Sequence, residues 1–269
     1  MERSRAMLAV SAAFVSAILV ATAVVPQATA IANGTFDTTH KYAGLLLFPN
    51  PGFTFYTGHT EYAGCSGTLI APRVFLTVAH CFDVVEGFGI PLEALAVSLA
   101  DNVFEDPKSW IPVTSYQRHP DYKVREGAPY NDVAIVILAK PAKGISPAAI
   151  APAGFLDAYE GLPDAALSLL GYGVNDTFVF TGDRRITTSG FVELGETYVK
   201  LSGSPGTFCP GDSGGPSLLP SGGVEYLVSI HGSRVGHTLK PPCEGPAFDQ
   251  RLDTPGVQAF IQGAIAAMR

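Results

Sequence analysis

The sequence lacks a basic surplus. Its 17 lysines and arginines are outnumbered by 24 aspartates and glutamates, for a formal net charge of −7. A balance of that sign gives no electrostatic footing for nucleic acid, and no nucleic-acid partner is expected. The chain also lacks any Cys-x-x-Cys pair, so its four cysteines do not read as a zinc site and no metal is expected. There is no internal repeat and no low-complexity tract. Beyond residues 1–30, no apolar run is long enough to span a membrane.

Charged residues make up only 15% of the 269, while glycine (29) and proline (21) are plentiful. Short strands joined by many turns give that composition. The length suits one large domain or two small ones.

Residues 1–30 stand apart. Arg3 and Arg5 precede an uncharged apolar run from Ala6 to Val25, followed by Pro26 and the small-x-small triplet Ala28-Thr29-Ala30. This reads as a secretory signal peptide cleaved after Ala30. The run is also long enough for an uncleaved anchor. A second triplet, Ala30-Ile31-Ala32, would leave Asn33 first instead. Without residues 1–30 the balance is 15 basic against 23 acidic residues, or −8. A secreted, extracellular protein with no membrane attachment after cleavage is expected. An even number of cysteines in an exported chain suggests two disulfides, with three possible pairings.

The most informative stretch is Cys209-Pro210-Gly211-Asp212-Ser213-Gly214-Gly215-Pro216. Glycines on both sides of a serine permit a tight turn that aims backbone N–H groups into one concavity. Ser213 would be the nucleophile, with the N–H groups of Gly211 and Ser213 as an oxyanion hole. A serine hydroxyl needs a base, and the base needs an orienting group. Leu76-Thr77-Val78-Ala79-His80-Cys81 supplies a histidine after an apolar run, and Asn131-Asp132 opens the buried-type strand Val133 to Leu138.

The order His80, Asp132, Ser213, each within these local motifs, resembles the chymotrypsin/trypsin-like serine proteases. The resemblance covers nearly all of 31–269. It implies an all-β fold of two six-stranded antiparallel barrels, barrel one about 31–145 and barrel two about 146–269. The site would lie in the cleft between them, with His80 and Asp132 from the first and Ser213 from the second. Phe260, Ile261, Ala264, Ile265 and Met268 recur at helical spacing, so a short helix ends the chain.

The resemblance further implies a serine endopeptidase acting on protein or peptide substrates, monomeric and without a cofactor. It selects the disulfides Cys65–Cys81 and Cys209–Cys243. It pairs the Ile31 ammonium, freed by cleavage, with Asp212. It places Thr207 at the floor of the specificity pocket, where a neutral residue does not favour lysine or arginine. Thr254-Pro255-Gly256-Val257 resembles a strand on the pocket wall, so Gly256 would leave that wall open. Val228 to Ser233 does not fix a register there. Either His231 and Gly232 line the pocket and His231 meets an acidic side chain, or His231 is a packed strand residue. Glu244 or Asp249 could also fold into the pocket.

Three smaller readings complete the pass. His119 reads as a surface residue, and Asp183, Arg184 and Arg185 as an exposed loop. Asn33-Gly34-Thr35 and Asn175-Asp176-Thr177 fit the glycosylation pattern. Two other functions remain in view. An esterase-type acyl hydrolase would place its serine in Gly-x-Ser-x-Gly and its histidine last, and here histidine comes first. A catalytically inactive binding protein on the same fold would usually lack one of the three residues, and none is lacking.

Overall fold

The computed structural model describes residues 31–123, 130–160, 165–234 and 243–268. The expected signal peptide lies outside the described residues. Six strands close the first barrel: β1 (Ala43–Pro49), β2 (Tyr62–Ala71), β3 (Val74–Thr77), β4 (Ala96–Ser98), β5 (Ile111–Arg118) and β6 (Ala134–Leu138). They pair in the order β1-β2-β3-β6-β5-β4, and β4 returns to β1. The second barrel comprises β7 (Ala166–Gly171), β8 (Arg185–Leu194), β9 (Tyr198–Pro205), β10 (Pro216–Ser221), β11 (Val224–Arg234) and β12 (Ala247–Arg251). Its order is β7-β8-β9-β12-β11-β10, with β10 back on β7, so both barrels share one connectivity.

Sequence patterning explains which strands sit inside. β1 and β6 are apolar runs buried along nearly their whole length. β5 begins by alternating, with Ile111 and Val113 inward and Pro112 and Thr114 outward, as a half-buried strand does. Leu46, Leu69, Phe75, Val97 and Val136 meet in barrel one, and Leu167, Leu169, Val199, Leu201 and Val228 in barrel two. A third cluster joins the barrels, with Leu76 and Ile135 packed near Leu170, Leu218 and Ile230.

Two helices flank this core. α1 (His80–Gly87) leaves the end of β3, and α2 (Pro255–Ala266) closes the chain. α2 buries Val257 and Ile261, one turn apart on one face. It starts earlier than the Phe260–Met268 spacing predicts. Thr254 is extended and Pro255, with its fixed φ, takes a first-turn position where its missing N–H costs nothing.

Arg184 and Arg185 are not in an exposed loop. Arg184 is fully buried and Arg185 nearly so. Arg184 Nε donates to Asp37 at 2.9 Å, its Nη1 to Tyr172 Oη at 3.0 Å, and its Nη2 to Asp101. A buried guanidinium persists only with such partners. His119 is likewise buried rather than at the surface. Its ring lies 5.0 Å from that of Phe260, and its Nδ1 accepts the Asp121 N–H.

Candidate active site

β3 runs into Val78 and Ala79, both buried, and hands the chain to α1 at His80. The Cys65–Cys81 disulfide ties the next residue back to β2. Asp132 stands just ahead of β6, after Asn131, whose φ of 53° turns the chain into the left-handed region that Asn tolerates. Two bonds then join the pair. The His80 N–H donates to Asp132 Oδ1 at 2.9 Å, and His80 Nδ1 meets Oδ2 at 2.7 Å. A carboxylate only accepts, so Nδ1 carries the proton and Nε2 is left with its lone pair. Burial pushes the His80 pKa down, but the Asp132 charge and hydrogen bond, with help from Asp83, outweigh it and raise the pKa above 6.5.

The serine turn is built by its own backbone and by barrel one. Gly211 and Gly214 have φ of 94° and 81°, values that glycine adopts without strain. The Asp212 N–H reaches the Cys209 carbonyl at 3.0 Å, and the Gly215 N–H reaches that of Asp212 at 2.8 Å. From barrel one, the Ser66 N–H and hydroxyl both donate to the Gly211 carbonyl, at 3.1 and 3.0 Å. A Cβ at Gly214 would collide with Thr77 and Ser66, so the turn lies against the end of β3. The Cys209–Cys243 disulfide anchors its start.

Asp212 is fully buried. Its carboxylate accepts the Cys209 N–H and the Gly173 N–H, each at 2.7 Å. A Cβ at Gly171 or Gly173 would overlap that carboxylate, which explains both glycines of Gly171-Tyr172-Gly173. Ile31 is also fully buried, and the Ala32 N–H donates to the Thr207 carbonyl at 2.9 Å.

His80, Asp132, Gly211 and Ser213 line one cleft of about 490 Å³. No hydrogen bond joins the Ser213 hydroxyl to His80 among the described residues, and such bonds often form only once substrate is bound. Phe53, Phe55, Tyr56, Phe180 and Phe208 supply much of the remaining wall. Among the described lining residues Asp132 is the one carboxylate, and it is engaged by His80.

The expected pocket residues are placed unevenly. Gly232 lines the cleft. His231 does not: it is fully buried, stacked on Phe208 at 4.7 Å, with Nε2 3.1 Å from the Leu170 carbonyl. It is the packed strand residue, its ring held between Phe208 and the Leu170 carbonyl. Asp249 is buried beside it, bound by the Ser217 and Ser229 hydroxyls, and does not fold into the cleft. Glu244 is exposed and outside the cleft lining. Gly256 is not on a wall strand; it lies exposed in the first turn of α2. Thr207 is buried next to the lining residue Phe208 but does not itself line the cleft. Asn175 is nearly buried, and its Oδ1 accepts the N–H groups of Thr177 and Val179, so it is a turn residue rather than an exposed glycan acceptor.

Sequence reasoning missed Gln250. Fully buried on β12, it accepts the Asp132 N–H at 2.8 Å across the barrel interface. Its amide donates to the Thr197 and Arg251 carbonyls. No local motif marks such a residue, because its partner is 118 positions away. The aromatic wall was missed too, although the uncharged, ring-rich segment Phe53 to Gly58 was a visible signal.

Comparison with known proteins agrees with this geometry. Residues 51–244 match the Trypsin family. Brachyurin of Leptuca pugilator is 29% identical over 188 residues, 64% of this chain and 77% of that one. Trypsin delta of Drosophila erecta is 26% identical over 209 residues, 70% of this chain and 76% of that one. In fold, the scabies mite inactivated protease paralogue S-I1 is similar, with a TM-score of 0.63 at 20% identity over 87% of this chain and 99% of that chain. The family match spans well over half of the sequence, and the chain belongs to the trypsin family of serine proteases.

Proposed function

We propose that the chain is an active serine endopeptidase in which His80, Asp132 and Ser213 form the catalytic triad. The observation that carries this reading is the doubly bonded His80–Asp132 pair in the same cleft as Ser213. His80 Nε2 takes the Ser213 proton as Oγ attacks the substrate carbonyl, then gives it to the leaving amine. The acyl group stays on Oγ until water repeats the sequence in reverse. Asp132 holds the imidazole tautomer and stabilises its charged form. The N–H groups of Gly211 and Ser213 receive the oxyanion, and one such donor contributes about 3–4 kcal/mol in comparable sites.

One fold neighbour is an inactivated protease paralogue, so an inactive binding protein is the reading to beat. Retention of all three residues here speaks for activity. The lack of an unengaged carboxylate among the described lining residues supports neutral, apolar substrate side chains over lysine or arginine.

The buried Ile31 and Asp212 support activation by cleavage after Ala30, with the new ammonium joining the Asp212 carboxylate. Sequencing the N-terminus of the active form should read Ile31, and a start at Asn33 contradicts this. Arg3, Arg5 and the apolar run support a signal peptide, and two disulfides suit an oxidising, extracellular setting.

The purified mature protein should hydrolyse an unfolded protein substrate, and Ser213→Ala should abolish this without unfolding. Hydrolysis of esters but not peptides would favour the acyl-hydrolase reading. Cleavage that survives Ser213→Ala would refute the mechanism.

A further inference from the structure

We propose that the aromatic wall of Phe53, Phe55 and Phe180 binds the part of the substrate that departs with the amine. It would select a large apolar or aromatic side chain on the first residue after the cut. The inference rests on the endopeptidase reading above and deepens it.

Position is the first argument. His80 must protonate the leaving amine, so the chain after the cut has to pass His80. The wall reaches the helix that carries His80. α1 starts at His80, contributes Val84 to the cleft, and ends against Phe88, whose ring meets that of Phe53 at 6.0 Å.

Construction is the second. The Asn50 Oδ1 accepts the N–H groups of Gly52 and Phe53 at 3.1 and 2.7 Å, and its Nδ2 donates to the Phe53 and Thr60 carbonyls. The Tyr56 hydroxyl donates to the Tyr62 carbonyl at 2.6 Å. Thr57–Gly58 pairs in parallel with Val179–Phe180, which brings barrel-two chain to the same wall. Rings held this way are ordered before substrate arrives, so little freedom is lost on binding.

Chemistry is the third. Asn50 to Gly58 contains no charged residue. Phe53 and Phe55 are half-buried, with ring centroids 5.5 Å apart, and Tyr56 meets Phe180 at 5.9 Å. Among the described lining residues the one ammonium is Lys123, which stands 5.8 Å from the Tyr130 ring centroid. A charged substrate side chain set on this wall would lose water without gaining a partner, whereas a ring gains edge and face contacts.

Acyl transfer tests this directly. During turnover of a peptide ester, an added amine can capture the acyl group. The amine nitrogen forms the new C–N bond, the bond to Ser213 Oγ breaks, and the amine proton passes through His80 to Oγ. Phenylalanine amide should capture the acyl group at least about ten-fold better than glycine amide, and Phe53→Ala should cut that ratio to about two-fold or less. Equal capture by the wild type overturns the proposal, as does an undiminished ratio in the variant. The wild-type ratio decides the matter alone if Phe53→Ala does not fold. If the wild type forms no acyl-enzyme, the endopeptidase reading fails while the wall is still tested by binding. Ser213→Ala protein should then bind a tetrapeptide beginning with Phe more tightly than one beginning with Gly, and equal binding overturns the proposal.

Discussion

At His80, burial and the Asp132 charge pull the imidazole in opposite directions, and the charge prevails. In the proposed mechanism His80 must be neutral to take the Ser213 proton. A raised pKa therefore moves the acid limb of kcat/KM above 6.5, the ordinary histidine value. The same pair stabilises the fold fully below the unfolded pKa and loses that contribution as pH rises through the folded one. Asp132→Asn should lower kcat by about 10⁴ through the wrong tautomer, and the surviving acid limb should move down. A pH–rate profile of both proteins checks this, and an unchanged limb would contradict the assignment. These three candidates could be singled out in the sequence because each sits in a short motif whose chemistry is local. His231 was not, since a one-residue change of register decides which face of β11 it takes.

Between elements, the site depends on bonds that cross the seam. Gln250 on β12 holds the Asp132 N–H, and Ser66 on β2 holds the Gly211 carbonyl. Gln250→Met would strand the Asp132 N–H in the interior, at about 1–3 kcal/mol, while the Thr197 carbonyl keeps the Arg251 N–H. The folded variant should lose about ten-fold in kcat, more than it changes KM, because Asp132 is displaced rather than the substrate site. Unchanged kcat with lowered stability would make Gln250 merely structural.

A second tie is pH-dependent. His40 bridges Asp37 at 2.8 Å and Glu225 on β11 at 3.0 Å. The Asp37 hydrogen bond and the two acidic charges raise the His40 pKa against burial. Its contribution, about 1 kcal/mol for a partly buried cluster, should be complete below about 6.5 and fade as pH rises through the folded value. Urea unfolding of wild type and His40→Asn across pH checks this; a gap that widens with pH contradicts it. The Gly256 assignment failed at this scale as well. Thr-Pro-Gly-Val reads equally as a strand or as a helix start, and only the apolar face of α2 packing into the seam decides between them.

Across the whole molecule, two barrels of one connectivity meet so that each supplies part of the cleft. A mostly-β character was legible in the glycine, proline and short apolar runs, and the two barrels only through the family that the three motifs resemble. What the barrels present to one another was not. Arg184 shows why: a charged residue is read as exposed until distant Asp37 and Asp101 are brought to it by folding. The cleft wall has the same origin, since Tyr56 and Phe180 meet through the pairing of segments far apart in the chain.

A fluorophosphonate probe tests the central claim most directly, because it forms its bond only with a serine already activated by its base. After labelling of the mature protein and digestion, the probe mass should sit on the peptide containing Ser213. Labelling should weaken in acid with the His80 limb and vanish in His80→Ala. Absence of label on folded, mature protein, or label on a different serine, would contradict the account.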